Sequence, residues 1–224
     1  MKVSLTIPTR NEEGSIGKLL KEIPREHIDE IIIVDGHSTD NTEKVARKYL
    51  KPRKDKFLVQ KGLGYGGALK QGADAASGDI IIMMDADGSH NPADIPFMLN
   101  KIEEGYEYVM ASRYAIGGRS YDDTFVRWFG NQLFTKLTNT IHNMRVTDSL
   151  YLFTAFTKKG YKKLDLKTTG FEFCTEIIVK AARAQLRFAE VPAIERARYA
   201  GKTHVFAPWH GLKILLTIFK KYEC

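Results

Sequence analysis

Two carboxylates one residue apart, Asp85 and Asp87, close an apolar run, Ile80-Ile81-Ile82-Met83-Met84. Bounded by Gly78-Asp79 and Asp87-Gly88, the run reads as a buried strand of a parallel sheet. The carboxylates then emerge together at the strand's C-terminal end, where open α/β sheets place their ligand crevice. Two anions held close repel one another unless a cation lies between them. For hard oxygen donors that cation is Mg²⁺ or Mn²⁺, and the usual reason to hold it is a substrate phosphate. For the neighbouring Asn91 and Asp94, a cap on the helix at Pro92 is the serious alternative.

Three further polar segments belong at the same edge. Pro8-Thr9-Arg10-Asn11-Glu12 ends a first strand, Asp35 to Thr42 ends a second, and Lys61-Gly62-Leu63-Gly64-Tyr65-Gly66-Gly67 follows a third. Glycines there let the backbone approach a ligand, and the helix that follows favours an anion at its start. The Gly-rich stretch is neither a Walker sequence nor a dinucleotide fingerprint. Taken singly, each loop is turn chemistry; four polar loops on one edge make a nucleotide site the better reading.

The elements that must position these loops alternate. Strands are expected at Val3–Ile7, Ile31–Val34, Phe57–Val59, Ile80–Met84 and Tyr108–Ala111. Helices fall between them: one capped by Asn11, one capped by Ser38 or Asp40, one over Ala68–Ala76, and one from Pro92 to Ile102. This argues for a parallel, doubly wound sheet with helices on both faces. The second half is less regular. Phe125 to Ile141 is a helix with Phe125, Trp128, Phe129, Leu133, Leu137 and Ile141 at helical spacing. Leu150–Phe156 and Leu186–Val191 are strand-like, Glu172–Ala184 is helical, and Trp209–Tyr222 is an amphipathic C-terminal helix.

The 224 residues suggest one domain with a C-terminal extension. The net charge of +7 favours anionic partners, and six Lys/Arg against one Glu after residue 195 place +5 of it at the C-terminal end. Cys174 and Cys224 make no disulfide framework, no Cys/His spacing suggests zinc, and a reducing compartment is expected. The N-terminus opens on a strand-like segment, so no signal peptide is expected, and no apolar stretch has bilayer-spanning length. No aromatic-basic stretch points to nucleic acid.

In order and spacing, Pro8–Glu12, Val34-Asp35-Gly36-His37-Ser38-Thr39-Asp40 and Asp85-Ala86-Asp87-Gly88-Ser89-His90 are similar to the signatures of inverting GT-A glycosyltransferases of family 2. Within them the chain most resembles dolichyl-phosphate mannose synthases and other polyprenyl-phosphate sugar transferases. The resemblance covers residues 1–204. It implies a GT-A catalytic domain there, with 1–115 the nucleotide-sugar half and 116–204 the acceptor half, and leaves 205–224 as the amphipathic helix. It implies that Pro8, Arg10, Glu12, Asp35, Gly64, Gly66 and Asp85 line the nucleotide-sugar pocket, and that Asp85, Asp87 and Ser89 hold Mg²⁺ or Mn²⁺. Ser89 stands where the mannose synthases carry Gln. Arg113 and Arg127 match residues that contact acceptor phosphate. Arg198-Tyr199-Ala200-Gly201-Lys202-Thr203-His204 is similar to a loop that closes on the phosphates through Arg198 and Lys202, with His204 in place of its Lys. Asp87, Arg113 and Arg198 are the implied catalytic residues.

The residues support part of this independently. Arg113 follows a strand at the active edge, and an Arg fork suits phosphate. A hydroxyl acceptor needs a general base, whereas a phosphate acceptor is largely ionised at neutral pH. Glu172 and Glu176, four apart on one helical face, are the best base candidates, and surface charge is as good a reading of them. The expectation is therefore metal-dependent inverting transfer of one hexose, mannose or glucose, from a GDP- or UDP-sugar to a polyprenyl (dolichyl) phosphate. The C-terminal helix would touch a membrane surface or a membrane-protein partner on the cytoplasmic side. The alternatives are a hydroxyl acceptor on a glycan or small metabolite, and a non-catalytic sugar-nucleotide-binding module.

Overall fold

The run Ile80–Met84 lies at the centre of a seven-stranded sheet in the computed structural model, which describes residues 1–200 and 208–220. The first half alternates as its pattern predicts. It runs β1 (Val3–Thr9), α1 (Ile16–Glu22), β2 (Glu30–Asp35), α2 (Thr42–Arg47), β3 (Lys56–Val59), α3 (Tyr65–Ala75) and β4 (Ile80–Met83). A 3₁₀ turn (Pro92–Asp94) then leads into α4 (Ile95–Glu103) and β5 (Tyr108–Ser112). The second half holds β6 (Arg119–Ser120), α5 (Phe125–His142), β7 (Thr154–Thr157), α6 (Lys158–Leu164), α7 (Phe173–Arg183), β8 (Phe188–Pro192), β9 (Ile194–Glu195) and α8 (Pro208–Phe219). Strand order is β3-β2-β1-β4-β7-β5-β8, with β6 and β9 paired apart. The expected α/β architecture, a mainly parallel sheet covered on both faces, is the observed one.

Side-chain alternation builds two cores from one strand set. On β2, Ile31 and Ile33 pack with Leu19, Leu20 and Met98 on one face, while Ile32 and Val34 pack with Leu69 and Ile177 on the other. Burying each such side chain contributes roughly 1.5–3 kcal/mol, so the central strands are the rigid frame for the loops at their ends.

Three local expectations are corrected. The strand read over Leu150–Phe156 is shorter and runs antiparallel between β4 and β5, with Thr154 opposite both Met83 and Met110. Asn11 caps no helix; its side chain accepts the Thr39 N–H (2.8 Å) and ties the first loop to the second. Ser38 holds Asp35 instead of capping α2, and Asp40 accepts the Thr42 N–H (2.9 Å). Asn91 does cap, accepting the Ala93 N–H.

Helix α5 is built inside out. Asn131, Thr135 and Thr138 are its buried residues, and Phe125, Trp128, Phe129 and Leu133 are exposed. Inward, the Asn131 amide donates to Asp148 (2.6 Å) and Thr135 bonds Ser149 (2.9 Å). No described helix is long and apolar enough to cross a membrane.

Candidate active site

Parallel pairing in register sets the site's frame. Thr9 at the end of β1 lies beside Asp35 at the end of β2, and Thr6 lies beside Met83 of β4, so all three loops leave from one edge. Asp35 is buried and takes hydrogen bonds from Thr9 Oγ1 (3.1 Å), Ser38 N–H (2.9 Å) and Ser38 Oγ (2.5 Å). Beside it, the Gln60 N–H donates to the Asp35 carbonyl (2.8 Å), joining the third loop to the second, and the Gln60 amide donates to the Gly64 carbonyl (2.7 Å) within the third loop. Pro8 and Glu12 are half-buried and Arg10 is exposed.

Asp85 is held from two sides. Tyr65 donates its hydroxyl to Oδ1 (2.5 Å). His90 Nδ1 accepts the Asp85 N–H (3.1 Å), which leaves the ring proton on Nε2, 3.6 Å from Oδ2. Burial pushes the His90 pKa down to about 4, so this contact is between a neutral ring and a carboxyl. The ring is fixed by stacking on Phe153 and edge contact with Tyr151. Burial and the adjacent Asp87 charge push Asp85 up to about 7. Burial, and after it the charges of Asp87 and Asp85, also raise Glu12, against a hydrogen bond from Ser15. The charges of Asp85 and Asp87 thus both act on Glu12.

Asp87 is buried, with Oδ1 accepting the Ser89 N–H (2.9 Å) and hydroxyl (2.7 Å). Ser89 thus supports Asp87 through both its N–H and its hydroxyl. Asp87 Oδ2 meets the Arg198 guanidinium at 3.1 Å. Arg198 reaches this point because its loop is stitched to the Asp85–His90 segment. The Arg196 N–H donates to the Ser89 carbonyl (2.8 Å) and the Tyr199 N–H to the Asp87 carbonyl (2.9 Å). Gly88 has φ +84°, and a Cβ there would lie 2.3 Å from the Tyr199 ring, so only glycine lets this loop close. Lys202, the loop's other expected cation, lies outside the described residues.

Beyond Arg198 the charges continue as a chain. Asp122 Oδ2 accepts from Arg198 Nε (3.3 Å) and from Arg127 Nη1 (3.2 Å). Arg127 also donates to the Asp122 carbonyl (2.7 Å). Arg113 stands differently from its expected phosphate contact. Its fork is bidentate on Asp148 (2.7 and 3.0 Å), with Glu195 at 3.3 Å, so two carboxylates already occupy it. Gly64 and Gly66, read as shaping the nucleotide pocket, are fixed by packing. Added Cβ atoms would lie 2.3 Å from the Thr169 carbonyl and 2.7 Å from Phe173.

The base candidates lie at and after the start of α7, where segment 169–173 packs against the Gly-rich loop. Glu176 is fully buried and accepts from the Lys167 and Thr168 N–H groups and from Lys180. Glu172 lines a hollow with Thr168, Lys213 and Leu216, on the α8 side.

Residues 4–170 match the model of glycosyl transferase family 2. The chain belongs to glycosyltransferase family 2. Among its relatives, it is 28% identical over 191 residues to glycosyltransferase AglJ of Haloferax volcanii, covering 85% of this chain and 61% of that one. It is 29% identical over 213 residues to a dolichol-phosphate mannosyltransferase of Pyrococcus furiosus, covering 91% and 59%. The chain thus spans about three-fifths of the length of both. Glucosyl-3-phosphoglycerate synthase from Mycobacterium tuberculosis, solved with Mn²⁺, UDP and glucosyl-3-phosphoglycerate, superimposes with a TM-score of 0.77 at 20% identity, covering 97% of this chain and 78% of that one. The family 2 domain here therefore has the GT-A fold.

Among the described residues no three acidic, His or Cys groups cluster as a metal cage. The family's divalent cation is nonetheless compatible with this site. Such a cation is usually held through one or two carboxylates plus substrate phosphates. Asp87 already carries a cation, Arg198, on Oδ2. Burial and, after it, the Asp87 charge lift Asp85 to about 7, and the repulsive part is relieved by positive charge between the two carboxylates.

Tyr65, Gln60, Asp122 and Asp148 were missed in the sequence. Tyr65 sits inside the Gly-rich loop and could have been drawn from it. Asp148 acts through Arg113, 35 residues away, and Asp122 joins the nearby Arg127 to Arg198, 76 residues away, a link with no local signal.

Proposed function

We propose that this family 2 domain transfers a single hexose, mannose or glucose, from a GDP- or UDP-sugar with inversion to a polyprenyl phosphate at the cytoplasmic face of a membrane. The observation that carries the reading is the run Asp87–Arg198–Asp122–Arg127, which sets two guanidiniums in succession beside the Asp87 carboxylate. Two phosphate groups need binding in such a reaction, the donor's diphosphate and the acceptor's headgroup, and Arg forks suit both. The acceptor phosphate brings its own negative oxygen to the sugar carbon and needs no protein base. That fits the engagement of Glu176 in the fold.

In this reading Asp35, with Pro8 and Arg10, faces the nucleoside, and Glu12 and Asp85 face the ribose and diphosphate. Mg²⁺ or Mn²⁺ on Asp87 and Asp85 would neutralise the departing diphosphate. Tyr65 and His90 fix the orientation of Asp85. Arg198 moves from the Asp87 carboxylate to the leaving phosphates, and Arg127 remains on Asp122 to receive the acceptor headgroup. The loop over Gly88 excludes water, which protects the sugar from hydrolysis.

The test is release of nucleoside diphosphate with Mn²⁺ or Mg²⁺, across GDP-mannose, UDP-glucose and related donors, with and without a short polyprenyl phosphate. Release is expected only with the lipid phosphate, and to fall about a hundredfold or more in Asp87→Asn, the scale of one lost electrostatic contact to developing charge. Lipid-independent transfer to a sugar or metabolite hydroxyl would replace this reading by the hydroxyl-acceptor one. Donor binding with no turnover on any acceptor would leave a binding module.

A further inference from the structure

The inverted helix α5 has its polar side satisfied within the protein and its apolar side facing out. Phe125, Trp128 and Phe129 on that side are 76%, 43% and 57% exposed. Helix α8 continues the surface. His142 of α5 bonds the Ile218 carbonyl of α8 (2.8 Å), and Gly211 lies over the Phe134 ring, so the helices run side by side in the same direction. Ile214 and Ile218 of α8 are buried, while Trp209, Leu216 and Phe219 are 62%, 61% and 59% exposed. A folded domain rarely leaves two neighbouring helices with apolar outer faces unless something covers them.

Charge selects what covers them. Neither helix contains an acidic residue; α5 carries Arg127 and Lys136, and α8 carries Lys213. Exposed Arg145 and Lys220 follow their C-terminal ends. Aromatic and aliphatic side chains on one side, with basic residues and no acids within either helix, are the make-up of a helix lying in an anionic lipid interface. Position agrees. The apolar face begins on the same turn of α5 as Arg127, which is joined through Asp122 and Arg198 to Asp87.

We infer that α5 and α8 together form a bilayer-docking face whose occupant is an anionic lipid surface, with α5 inserting Phe125, Trp128 and Phe129 at the mouth of the active site. The inference deepens the polyprenyl-phosphate reading, since a docked α5 brings a membrane-held headgroup within reach of Arg127. Its physical basis, the outward apolar side of α5, stands whatever the acceptor is.

The chain has two tryptophans, Trp128 and Trp209, and both lie on this face. Tryptophan emission, excited selectively, therefore reports on it alone. Phosphatidylcholine vesicles containing phosphatidylglycerol, with no polyprenyl phosphate and no nucleotide sugar present, should shift the emission to the blue. Brominated acyl chains should quench it, and raised salt should weaken binding. The variant F129S/F219S keeps both tryptophans and should bind these vesicles at least about tenfold more weakly, with an unchanged unfolding midpoint. Emission indifferent to vesicles would overturn the inference. So would equal binding to pure phosphatidylcholine, which removes the anionic partner. A lipid-free blue shift that grows with protein concentration and a doubled mass would assign the face to a second copy instead. Failure here with lipid-phosphate-dependent turnover intact would sink the docking face alone. Vesicle binding with transfer only to hydroxyl acceptors would sink the acceptor reading alone.

Discussion

Asp94, at the end of the 3₁₀ turn after the site loop, is 9% exposed, and among the described residues its Oδ2 is buried with no hydrogen-bond partner. Burial pushes it from 3.8 up to about 6, against the attraction of Arg196 in the closing loop. A carboxyl raised in the folded state stabilises the fold below its unfolded pKa and loses that contribution as pH rises through the folded one. Its penalty is therefore absent near pH 4, develops between about 4 and 6, and is complete above. Asp94→Asn keeps the shape and removes the charge. The variant should be more stable than the parent by about 1–2 kcal/mol at pH 8, with the gap closing below about pH 4. Urea unfolding at the two pH values checks this, and a gap independent of pH would refute it. At this scale the sequence was readable where chemistry is local. Asp85 and Asp87 end an apolar run, and Asn91 precedes a proline. It was silent where partners are distant, as for Asp148, which fixes Arg113 from 35 residues away.

Elements were legible in kind and less so in facing. Glu172 and Glu176 do lie on one side of α7, but that side turns inward at Glu176, a point that spacing four apart does not decide. Glu176 anchors the loop before its own helix, taking the Lys167 N–H (3.0 Å), the Thr168 N–H and hydroxyl (2.7 Å each) and the Lys180 ammonium (2.9 Å). Burial alone would raise its pKa; the hydrogen bonds from Thr168 and Lys180 outweigh it and the net shift is downward. Glu176→Gln should cost about 2–3 kcal/mol, because charged hydrogen bonds become neutral and one acceptor becomes a donor facing N–H groups. The kcat of the folded protein should stay within about threefold of the parent, the change expected when no contact to the reacting atoms is lost. Denaturant unfolding and turnover on the same sample check both. A collapsed kcat with an unchanged midpoint would reinstate Glu176 as a base. The same blindness to facing explains α5, whose apolar stripe had the right period for a helix while nothing in the period says inward or outward. It also explains β7, whose composition marks a strand but whose direction depends on the path of the chain through α5.

On the scale of the whole molecule, the loop 196–199 joins parts of the chain that are far apart in sequence. Arg196 pairs with Glu22 at the end of α1 (2.8 Å) and Tyr199 donates its hydroxyl to the same carboxylate. Backbone bonds tie the loop to Asp87 and Ser89, and Arg198 reaches Asp122 before α5. Arg198 thus couples the state of Asp87 to both halves of the fold, and in the proposed reading, where Asp87 would hold the divalent cation, its guanidinium stands against that carboxylate. A cation arriving alone must displace Arg198 without offering it a new partner. A cation arriving with a nucleoside diphosphate supplies that partner. Arg198→Gln should therefore bind Mn²⁺ alone about fivefold more tightly, the worth of about 1 kcal/mol for a partly exposed ion pair. It should bind the Mn²⁺–nucleoside diphosphate pair more weakly, because a charge-assisted contact to phosphate is gone. Titration calorimetry of the variant and parent with Mn²⁺, first alone and then with GDP or UDP, reads both constants. Opposite changes in the two constants establish the exchange of partners. Mn²⁺ binding alone that weakens or stays the same in the variant would mean that Arg198 does not compete for the cation's place, and that the loop's closure is independent of the metal.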